Sequence, residues 1–313
     1  MTKYAFGIDL GGTTVKLGLF DGEENLLDKW EIPTRTEDGG KEILPDIAKS
    51  IKEKVVEKDI AKEDVLGVGI DVPGPVLEEQ VVNRCVNLGW GVIDVSKELG
   101  SLLDGIVVKV SNDANAAALG EQWKGGGEGH DNVVMVTLGT GVGGGIILDG
   151  KILSGVHGAG GEIGHMKVND EETETCGCGN KGCLEQYASA TGITRMGHKF
   201  LKENTRPTSL IDDDTLSSKV IFDAAKTGDE VANQIVEKFG QILGKALASI
   251  AVVVDPDVFV IGGGVSKAGQ ILIDTVGKYY REFAFHATSH IELNLAKLGN
   301  DAGMYGAVKT VLG

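Results

Sequence analysis

Positively charged side chains are scarce in this sequence. Its 30 lysines and arginines face 46 aspartates and glutamates, which leaves a net charge of −16. The sequence has no cluster of basic residues to offset this excess of acidic ones, so nucleic acid is excluded as an expected partner. No apolar run approaches the ~18 residues that a membrane-spanning helix needs. The N-terminus enters a strand-like run without a secretory signal pattern, so we expect a cytoplasmic protein with no membrane partner.

Cysteines and aromatic residues are also few, with four cysteines and 5% aromatics in 313 residues. Four cysteines do not make a disulfide framework in a chain of this length. Cys85 stands alone and is predicted to be a buried small apolar residue. Glycine is abundant instead: the 47 glycines are about twice the usual share. They lie in short runs between apolar segments, which indicates tight turns rather than disorder, and the length suffices for two domains with cores.

The densest cluster of polar and metal-binding residue types lies between Gly160 and Glu185. Its cysteines have C-x-C-x4-C spacing, at Cys176, Cys178 and Cys183, and His165 lies just upstream. Four such ligands suit a closed tetrahedral zinc site. Ordinary core thiols or a disulfide are the alternatives, and the tight clustering favours zinc. The segment has few apolar residues of its own, so we expect its folding to depend on the metal.

The opening of the chain reads as three consecutive antiparallel strands, at Tyr4–Leu10, Val15–Phe20 and Leu26–Ile32. The first turn is rich in glycine and polar residues: Asp9, Gly11, Gly12, Thr13 and Lys16. Glycines there let the backbone approach a phosphate closely, and a carboxylate at the strand end could hold Mg²⁺ through water. A plain hairpin with a Gly-Gly turn is an equally good interpretation of this turn alone.

Residues 133–148 repeat the plan of residues 4–20, with an apolar strand, a glycine turn and a second strand. The turn fits G-x-G-x-x-G, and Gly145–Lys151 nearly fits a Walker A loop. A dinucleotide fingerprint needs a helix next, but a β-like run follows. Ile152 stands where a Walker A loop needs Ser or Thr. Both motifs are therefore rejected.

Three further segments carry candidate residues with open alternatives. Asp113 follows the strand Ile106–Val110 and begins an alanine-rich helix, where a carboxylate could be only a helix cap. Asn87 lies in a turn, and a simple turn residue is as good an interpretation. The Gly262–Gly264 run follows a buried strand and opens the next helix, which a tight turn alone would explain. Asp229 is predicted to cap a long core helix reaching Val254.

The motifs G-E-I-G-H, C-x-C-G-x-x-G-C-L-E and N-D-A-N-A-A resemble those of the ROK family of sugar kinases and sugar-responsive repressors. The resemblance implies a two-domain, hexokinase–actin-like (ribonuclease H-like) α/β fold with a cleft between the domains. Residues 1–122 would form a small N-terminal domain, joined by a C-terminal helix at 301–313. Residues 123–300 would form a large domain with the zinc loop. A homodimer is typical of the family.

The same resemblance implies roles for individual residues. Structural zinc would be held by His165, Cys176, Cys178 and Cys183. Asp113 would be the catalytic base. The sugar contacts would be Gly74, Asn87, Asn112, Asp113, Glu162, His165 and Glu185. ATP and its phosphates would meet Asp9, Gly11, Gly12, Thr13, Lys16, Gly139, Thr140, Gly141, Gly263 and Gly264, with Asp9 holding Mg²⁺ through water.

The implied reaction is ATP-dependent phosphorylation of a hexose 6-hydroxyl, feeding glycolysis, with glucose as the favoured sugar. Kinases of fructose, mannose or N-acetylmannosamine share these motifs and are the alternatives. A sugar-responsive regulator is less favoured, because the chain opens at the first glycine turn rather than at a helix-turn-helix. A non-catalytic sugar-binding or zinc scaffold protein would not need both glycine turns.

Overall fold

The computed structural model describes residues 2–203 and 205–313. The chain divides into two compact units. The first contains the chain up to Gly129, then Gly145–Gly161 and Asn300–Gly313; the second contains His130–Gly144 and Glu162–Gly299. The domain boundaries expected from the sequence stay a prediction.

The chain contains both strands and helices, as expected for an α/β protein. In order, the strands are β1 Tyr4–Leu10, β2 Thr14–Asp21, β3 Leu26–Pro33, β4 Val65–Val72, β5 Val76–Leu77, β6 Val81–Cys85, β7 Trp90–Asp94, β8 Val108–Asn112, β9 Val133–Leu138, β10 Val142–Leu148, β11 Lys151–Ile152, β12 Val258–Gly262 and β13 Glu292–Leu295. The helices are α1 Glu37–Gly40, α2 Ile43–Glu57, α3 Val95–Leu102, α4 Asp113–Lys124, α5 Glu185–Ala188, α6 Ala190–Glu203, α7 Ser218–Lys226, α8 Glu230–Val254, α9 Gln270–Phe283 and α10 Ala302–Leu312. None of the described helices combines the length and hydropathy that crossing a bilayer would require.

The sheet of the first unit has the order β3-β2-β1-β4-β8. Strands β1, β2 and β3 pair antiparallel, which confirms the predicted opening, and β4 joins β1 and β8 in parallel. Side chains alternate between the two faces of the sheet. Phe6, Ile8 and Ile70 belong to one face and lie in the apolar core of this unit. The small antiparallel sheet β5-β6-β7 was not predicted.

The opposite face of this sheet is packed against α10, and glycines make the approach possible. A Cβ on Gly69 would lie 1.8 Å from the carbonyl oxygen of Ala307, and a Cβ on Gly306 would lie 1.7 Å from that of Ala116. Neither position can hold a side chain without moving the backbone. Part of the glycine excess therefore serves helix packing rather than turns.

The second five-stranded sheet has the order β11-β10-β9-β12-β13. When the strands of each sheet are numbered by their order along the chain, both sheets have the spatial order third, second, first, fourth, fifth. The repeat seen in the sequence is therefore confirmed as a repeat of topology. Strand β10 follows the glycine turn where a dinucleotide fingerprint would need a helix. Helix α8 is the long buried helix expected, and Asp229 caps it by accepting hydrogen bonds from the N–H groups of Val231 and Ala232.

Candidate functional site

The first glycine turn follows β1 and is fixed by bonds to its surroundings. The hydroxyl of Thr34 donates to the carbonyl of Gly11 at 2.7 Å, and its backbone N–H donates to the carbonyl of Thr13 at 2.9 Å. Gly12 lies at the exposed tip, where an added Cβ would meet nothing within 4 Å. The turn is therefore rigid at its base and open at its tip, as a backbone phosphate site requires.

Asp9 and Lys16 face each other at the base of this turn. The Lys16 Nζ donates to Asp9 Oδ2 at 2.8 Å and to the carbonyl of Asn300 at 2.8 Å. The two side chains are partners in the β1–β2 register. Lys16, which we predicted as a phosphate contact, is thus held beside the carboxylate that we predicted as a Mg²⁺ ligand.

Asp71 is a buried carboxylate next to Asp9 that the sequence reasoning missed. It is the register partner of Asp9 across β1–β4 and of Ser111 across β4–β8, and its exposed fraction is 0%. Burial raises the pKa of Asp71 well above its ordinary value, and the charges of Asp9 and Asp113 add to the rise. The signal was present in the sequence, since Asp71 is the one charged residue in the apolar run LGVGIDV.

The helix cap at α4 is Asn112 rather than Asp113. The Oδ1 of Asn112 accepts from the N–H groups of Ala114 and Asn115, and its Nδ2 donates to Asp113 Oδ1 at 2.9 Å and to the carbonyl of Gly74 at 3.1 Å. Asp113 is exposed and its Oδ1 also accepts from the N–H of Ala114 at 2.8 Å. Asn112 therefore caps the helix, and its side-chain amide orients the carboxylate of Asp113.

The loop after β4 lies beside this helix start. Gly74 has a φ of +113°, and a Cβ there would lie 3.1 Å from the carbonyl of Arg84, so the position favours glycine for two reasons. Cys85 is buried as predicted, and burial raises the pKa of its thiol. Asn87 is exposed in the short 3-10 turn that follows. Of the predicted residues of this segment, Gly74 contacts Asn112 through its carbonyl.

In the second unit, the four predicted zinc ligands come together. The ligand atoms of His165, Cys176, Cys178 and Cys183 all lie within 4.8 Å of one another. The Sγ atoms of Cys178 and Cys183 are 3.6 Å apart, and the Sγ of Cys176 is 3.9 Å from the Nδ1 of His165. Tetrahedral zinc with 2.3 Å bonds to sulfur places its ligands about 3.8 Å apart. The donor set and spacing therefore fit this metal, and the cysteines form no disulfide.

The thiols of this cluster need a cation to be ionised together. Burial raises the pKa of Cys183 to about 12, and the neighbouring thiols of Cys178 and Cys176 contribute. Burial also raises the pKa of Cys176, whereas a backbone hydrogen bond from Asn180 lowers that of Cys178. Thiolates are the form that binds metal, so a bound divalent cation would replace protons in this cluster.

Glu185 connects the cysteine cluster to the second glycine turn. Its Oε2 accepts from the N–H of Val142 at 3.0 Å, and its Oε1 lies 3.6 Å from the Sγ of Cys176. A Cβ on Gly141 would lie 2.2 Å from Glu185 Oε2. The turn is also held at Gly139, whose carbonyl accepts from the N–H of Ala190 at 2.7 Å. The cysteine cluster and the second glycine turn, which the sequence analysis considered separately, are therefore connected through Glu185.

The other predicted residues of this unit lie around the same strand ends. Thr140 is exposed at the turn, and its carbonyl accepts from the Thr191 hydroxyl at 3.1 Å. Gly263 has a φ of +82°, and a Cβ there would lie 2.5 Å from the carbonyl of Leu138. Gly264 follows in open space. Glu162 and His165 are exposed at the two ends of the short 3-10 turn that precedes the cysteines.

A polar network holds the outer half of the zinc segment. Arg195 of α6 donates to Glu172 at 2.8 Å and to Glu174 at 2.7 Å. The Tyr187 hydroxyl donates to Glu172 at 2.6 Å, and Gln186 accepts from the N–H of Cys183 at 3.1 Å. These ion pairs and hydrogen bonds also order the segment, and the dependence of its folding on the metal stays a prediction.

The model of the ROK family matches residues 5–313. A glucokinase of Halalkalibacterium halodurans is 40% identical over 309 residues, covering 97% of this chain and 93% of that protein. The structure of a ROK hexokinase from Thermus thermophilus has a TM-score of 0.79 at 31% identity, covering 98% of this chain and 97% of that one. A ROK family glucokinase from Streptomyces griseus, in complex with glucose and AMPPNP, has a TM-score of 0.73 at 33% identity, covering 98% of each. The predicted fold class is confirmed.

Proposed function

The chain belongs to the ROK family, and from this premise we propose that it is an ATP-dependent hexose 6-kinase whose preferred sugar is glucose. The observation that carries the proposal is the duplicated glycine turn, one copy after β1 and one after β9, each at the carboxyl end of a central strand. Backbone N–H groups in such turns bind phosphate. A non-catalytic sugar-binding protein would not need two phosphate-binding turns.

Nucleotide binding is assigned to these turns. Gly11, Gly12 and Thr13 would hold phosphates from one turn, and Gly139, Thr140 and Gly141 from the other. Gly263 and Gly264 are proposed to contact the nucleotide beside the end of β9. In a protein with a net charge of −16, bound ATP needs local positive charge. Mg²⁺ supplies it when bound, and Asp9 is the proposed carboxylate that holds the hydrated ion.

Asp113 is the proposed general base. Its carboxylate is exposed and is oriented by the Asn112 amide, which donates to Oδ1 at 2.9 Å. The Asp113 carboxylate would accept the proton of the sugar 6-hydroxyl as that oxygen attacks the γ-phosphorus. Phosphoryl transfer depends mainly on positioning and electrostatics, so a base with a fixed orientation is a suitable arrangement.

Sugar binding is assigned to residues on several loops. Gly74, Asn87 and Asn112 are the proposed contacts from the first unit. Glu162, His165 and Glu185 are those next to the cysteine cluster. A structural zinc would bind the Nδ1 side of His165, which leaves the other ring nitrogen for a sugar hydroxyl. The metal would thus orient a sugar ligand without taking part in the reaction.

The proposal is tested by measuring ADP release with purified protein over a panel of sugars. We expect the highest kcat/KM with glucose among glucose, mannose, fructose, N-acetylmannosamine and N-acetylglucosamine. A higher value with another hexose would move the assignment to a different ROK kinase. ADP release with none of them, by protein that binds a hexose in calorimetry, would favour the regulator alternative. Cytoplasmic location and a homodimer are further proposals, the latter tested by light scattering.

A further inference from the structure

Thr34 bonds to the first glycine turn at two points. It comes directly after β3, whose last residue, Pro33, is the register partner of Thr14. Thr34 therefore lies beside the turn, where its backbone N–H donates to the carbonyl of Thr13 at 2.9 Å and its hydroxyl donates to the carbonyl of Gly11 at 2.7 Å. The first bond continues the pairing of β2 with β3, whereas the second comes from a side chain and reaches further into the turn.

The bond from the hydroxyl fixes the direction of an N–H group that it does not touch. The carbonyl of Gly11 and the N–H of Gly12 belong to one peptide plane, in which they point in opposite directions. A carbonyl held towards Thr34 therefore directs the Gly12 N–H away from Thr34. Gly12 is exposed, and a Cβ there would meet nothing within 4 Å, so this N–H group lies at the open tip of the turn.

Two consecutive glycines would make this peptide plane easy to turn over without such a bond. Turning it over changes ψ of Gly11 and φ of Gly12, and glycine accepts both signs of φ at little cost. The Gly11 N–H is bonded to the carbonyl of Thr14 at 3.1 Å, but that bond holds the preceding plane. A plane turned over would present a carbonyl oxygen in place of the N–H group, and it is N–H groups that bind phosphate.

The second glycine turn has a bond of the same kind. The hydroxyl of Thr191 in α6 donates to the carbonyl of Thr140 at 3.1 Å, and this carbonyl shares its peptide plane with the N–H of Gly141. The preceding plane is held as well, because the N–H of Ala190 donates to the carbonyl of Gly139 at 2.7 Å. In each unit, a threonine from outside the turn thus holds a carbonyl whose peptide plane carries the N–H of a proposed phosphate contact.

We propose that Thr34 and Thr191 are positioning residues of the two phosphate-binding turns, each holding one peptide plane so that its N–H group is available to a phosphate oxygen. Neither side chain needs to touch the nucleotide for this role. The inference rests on the proposed kinase function and adds two residues to it. Thr34 is half-buried and its bond is the shorter, whereas Thr191 is exposed. Water competes more for the second bond, so the larger effect is expected at Thr34.

The test removes the hydroxyl of Thr34 and keeps the shape of the side chain. Thr34→Val leaves the backbone N–H bond to Thr13 in place, and Thr34→Ser retains the hydroxyl without the methyl group. Thr36→Val is the matched control, since Thr36 is half-buried in the same segment and its side chain makes no cap bond to α1. Calorimetry with Mg·AMPPNP in the absence of sugar measures nucleotide affinity, and kinetics give the KM for ATP and for hexose separately.

We expect Thr34→Val to weaken Mg·AMPPNP binding by roughly 3–10-fold, the usual effect of losing one neutral hydrogen bond. The KM for ATP should rise by a similar factor while that for hexose stays near the wild-type value. Thr191→Val should separate the two KM values by a smaller factor, and Thr34→Ser and Thr36→Val should match the wild type. A merely structural role would lower the melting temperature without separating the two KM values.

An affinity of Thr34→Val within about twofold of the wild type would overturn the proposal, since one lost hydrogen bond should exceed it. A Thr34→Ser variant as weak as Thr34→Val would do the same, because the loss would then belong to the methyl group. Thr34→Ala provides the test if the valine variant does not fold by circular dichroism. Failure of the kinase assignment would appear separately, as wild-type protein that binds Mg·AMPPNP, and loses affinity in Thr34→Val, but phosphorylates no sugar.

Discussion

The carboxylate of Glu185 accepts a hydrogen bond from the backbone N–H of Val142 at 3.0 Å. This bond joins the helix that follows the cysteines to the turn proposed for the ATP phosphates. Because the other oxygen of Glu185 lies 3.6 Å from Cys176 Sγ, a change in the cluster can reach the turn through one side chain. Both glycine turns lie outside the zinc segment in the sequence, so this connection depends on the fold.

Cys178→Ser should release zinc and raise the KM for both hexose and ATP. The hexose effect follows from losing the orientation of His165 and Glu185. The ATP effect follows from weakening the Glu185–Val142 bond. Loss of one charged hydrogen bond corresponds to roughly 10–100-fold. Zinc per chain is measured by elemental analysis, with Cys85→Ala as the control because Cys85 is buried in the first unit. An unchanged ATP KM in zinc-free protein would contradict the coupling.

Asp113→Asn should lower kcat by about 10²–10⁴-fold, the usual contribution of a positioned base. Hexose affinity in calorimetry should stay near the wild-type value, because the amide keeps the shape of the carboxylate. The control is Asp94→Asn, which alters a carboxylate that caps α3 by accepting from the Lys97 N–H. A kcat above a tenth of the wild-type value would remove Asp113 from the role of base.

Gly12→Ala should raise the KM for ATP while the melting temperature stays unchanged. An added Cβ meets nothing within 4 Å at Gly12 or at Gly91, so neither substitution creates a clash within the protein. Only at Gly12 would the methyl group obstruct a phosphate, with an expected effect of roughly tenfold or more. Gly91→Ala is the matched control. Equal ATP kinetics in the two variants would count against a phosphate site at this turn.

Gly69→Ala should destabilise the first unit. The new Cβ would lie 1.8 Å from the carbonyl oxygen of Ala307, so α10 must move away from the sheet. Overpacking of this kind costs about 1–3 kcal/mol or more. The measurement is thermal unfolding by circular dichroism, with Gly91→Ala as the reference for alanine in open space. A melting temperature equal to that reference would mean that α10 packs less closely than the structure indicates.

Asp229→Ala should destabilise the protein in a way that depends on pH. Burial opposes the charge on Asp229, but the N–H groups of Ala232 and Ser209 and nearby hydroxyls outweigh it and lower its pKa to about 2. Because its pKa is lower in the folded protein, the Asp229 carboxylate contributes stability that is fully present above its unfolded pKa of 3.8 and is lost as the pH falls through the folded value.

The difference in unfolding free energy between wild type and Asp229→Ala should therefore be about 1–2 kcal/mol at pH 6. It should shrink between the unfolded pKa of 3.8 and the folded pKa of about 2. Denaturant unfolding at pH 6 and near pH 3 measures it, and Asp214→Ala, at an exposed position of the same unit, is the control. A difference that does not change with pH would show that the cap acts only through its shape.

Much of the fold and several site features followed from local patterns in the sequence. Short apolar runs predicted the opening strands, and glycine runs marked the turns. The spacing of His165 and the cysteines predicted the cluster because all four ligands belong to one short segment. Asp229 was recognisable as a cap because its helix partners, the N–H groups of Val231 and Ala232, lie two and three residues further along the chain. In each case the interacting groups are close in sequence, so the pattern contains the interaction.

Only the tertiary structure decided the contacts between residues that are distant in sequence. Asp71 meets Asp9 because β4 pairs with β1 in one particular register, and a shift by one residue would turn the side chain to the other face. Arg195 reaches Glu172, and Glu185 reaches Val142, through packing that no local period encodes. The choice of Asn112 over Asp113 as the cap depended on backbone geometry at a single residue. Register and long-range packing arise from the whole chain at once, which is why these parts of the site were not predicted.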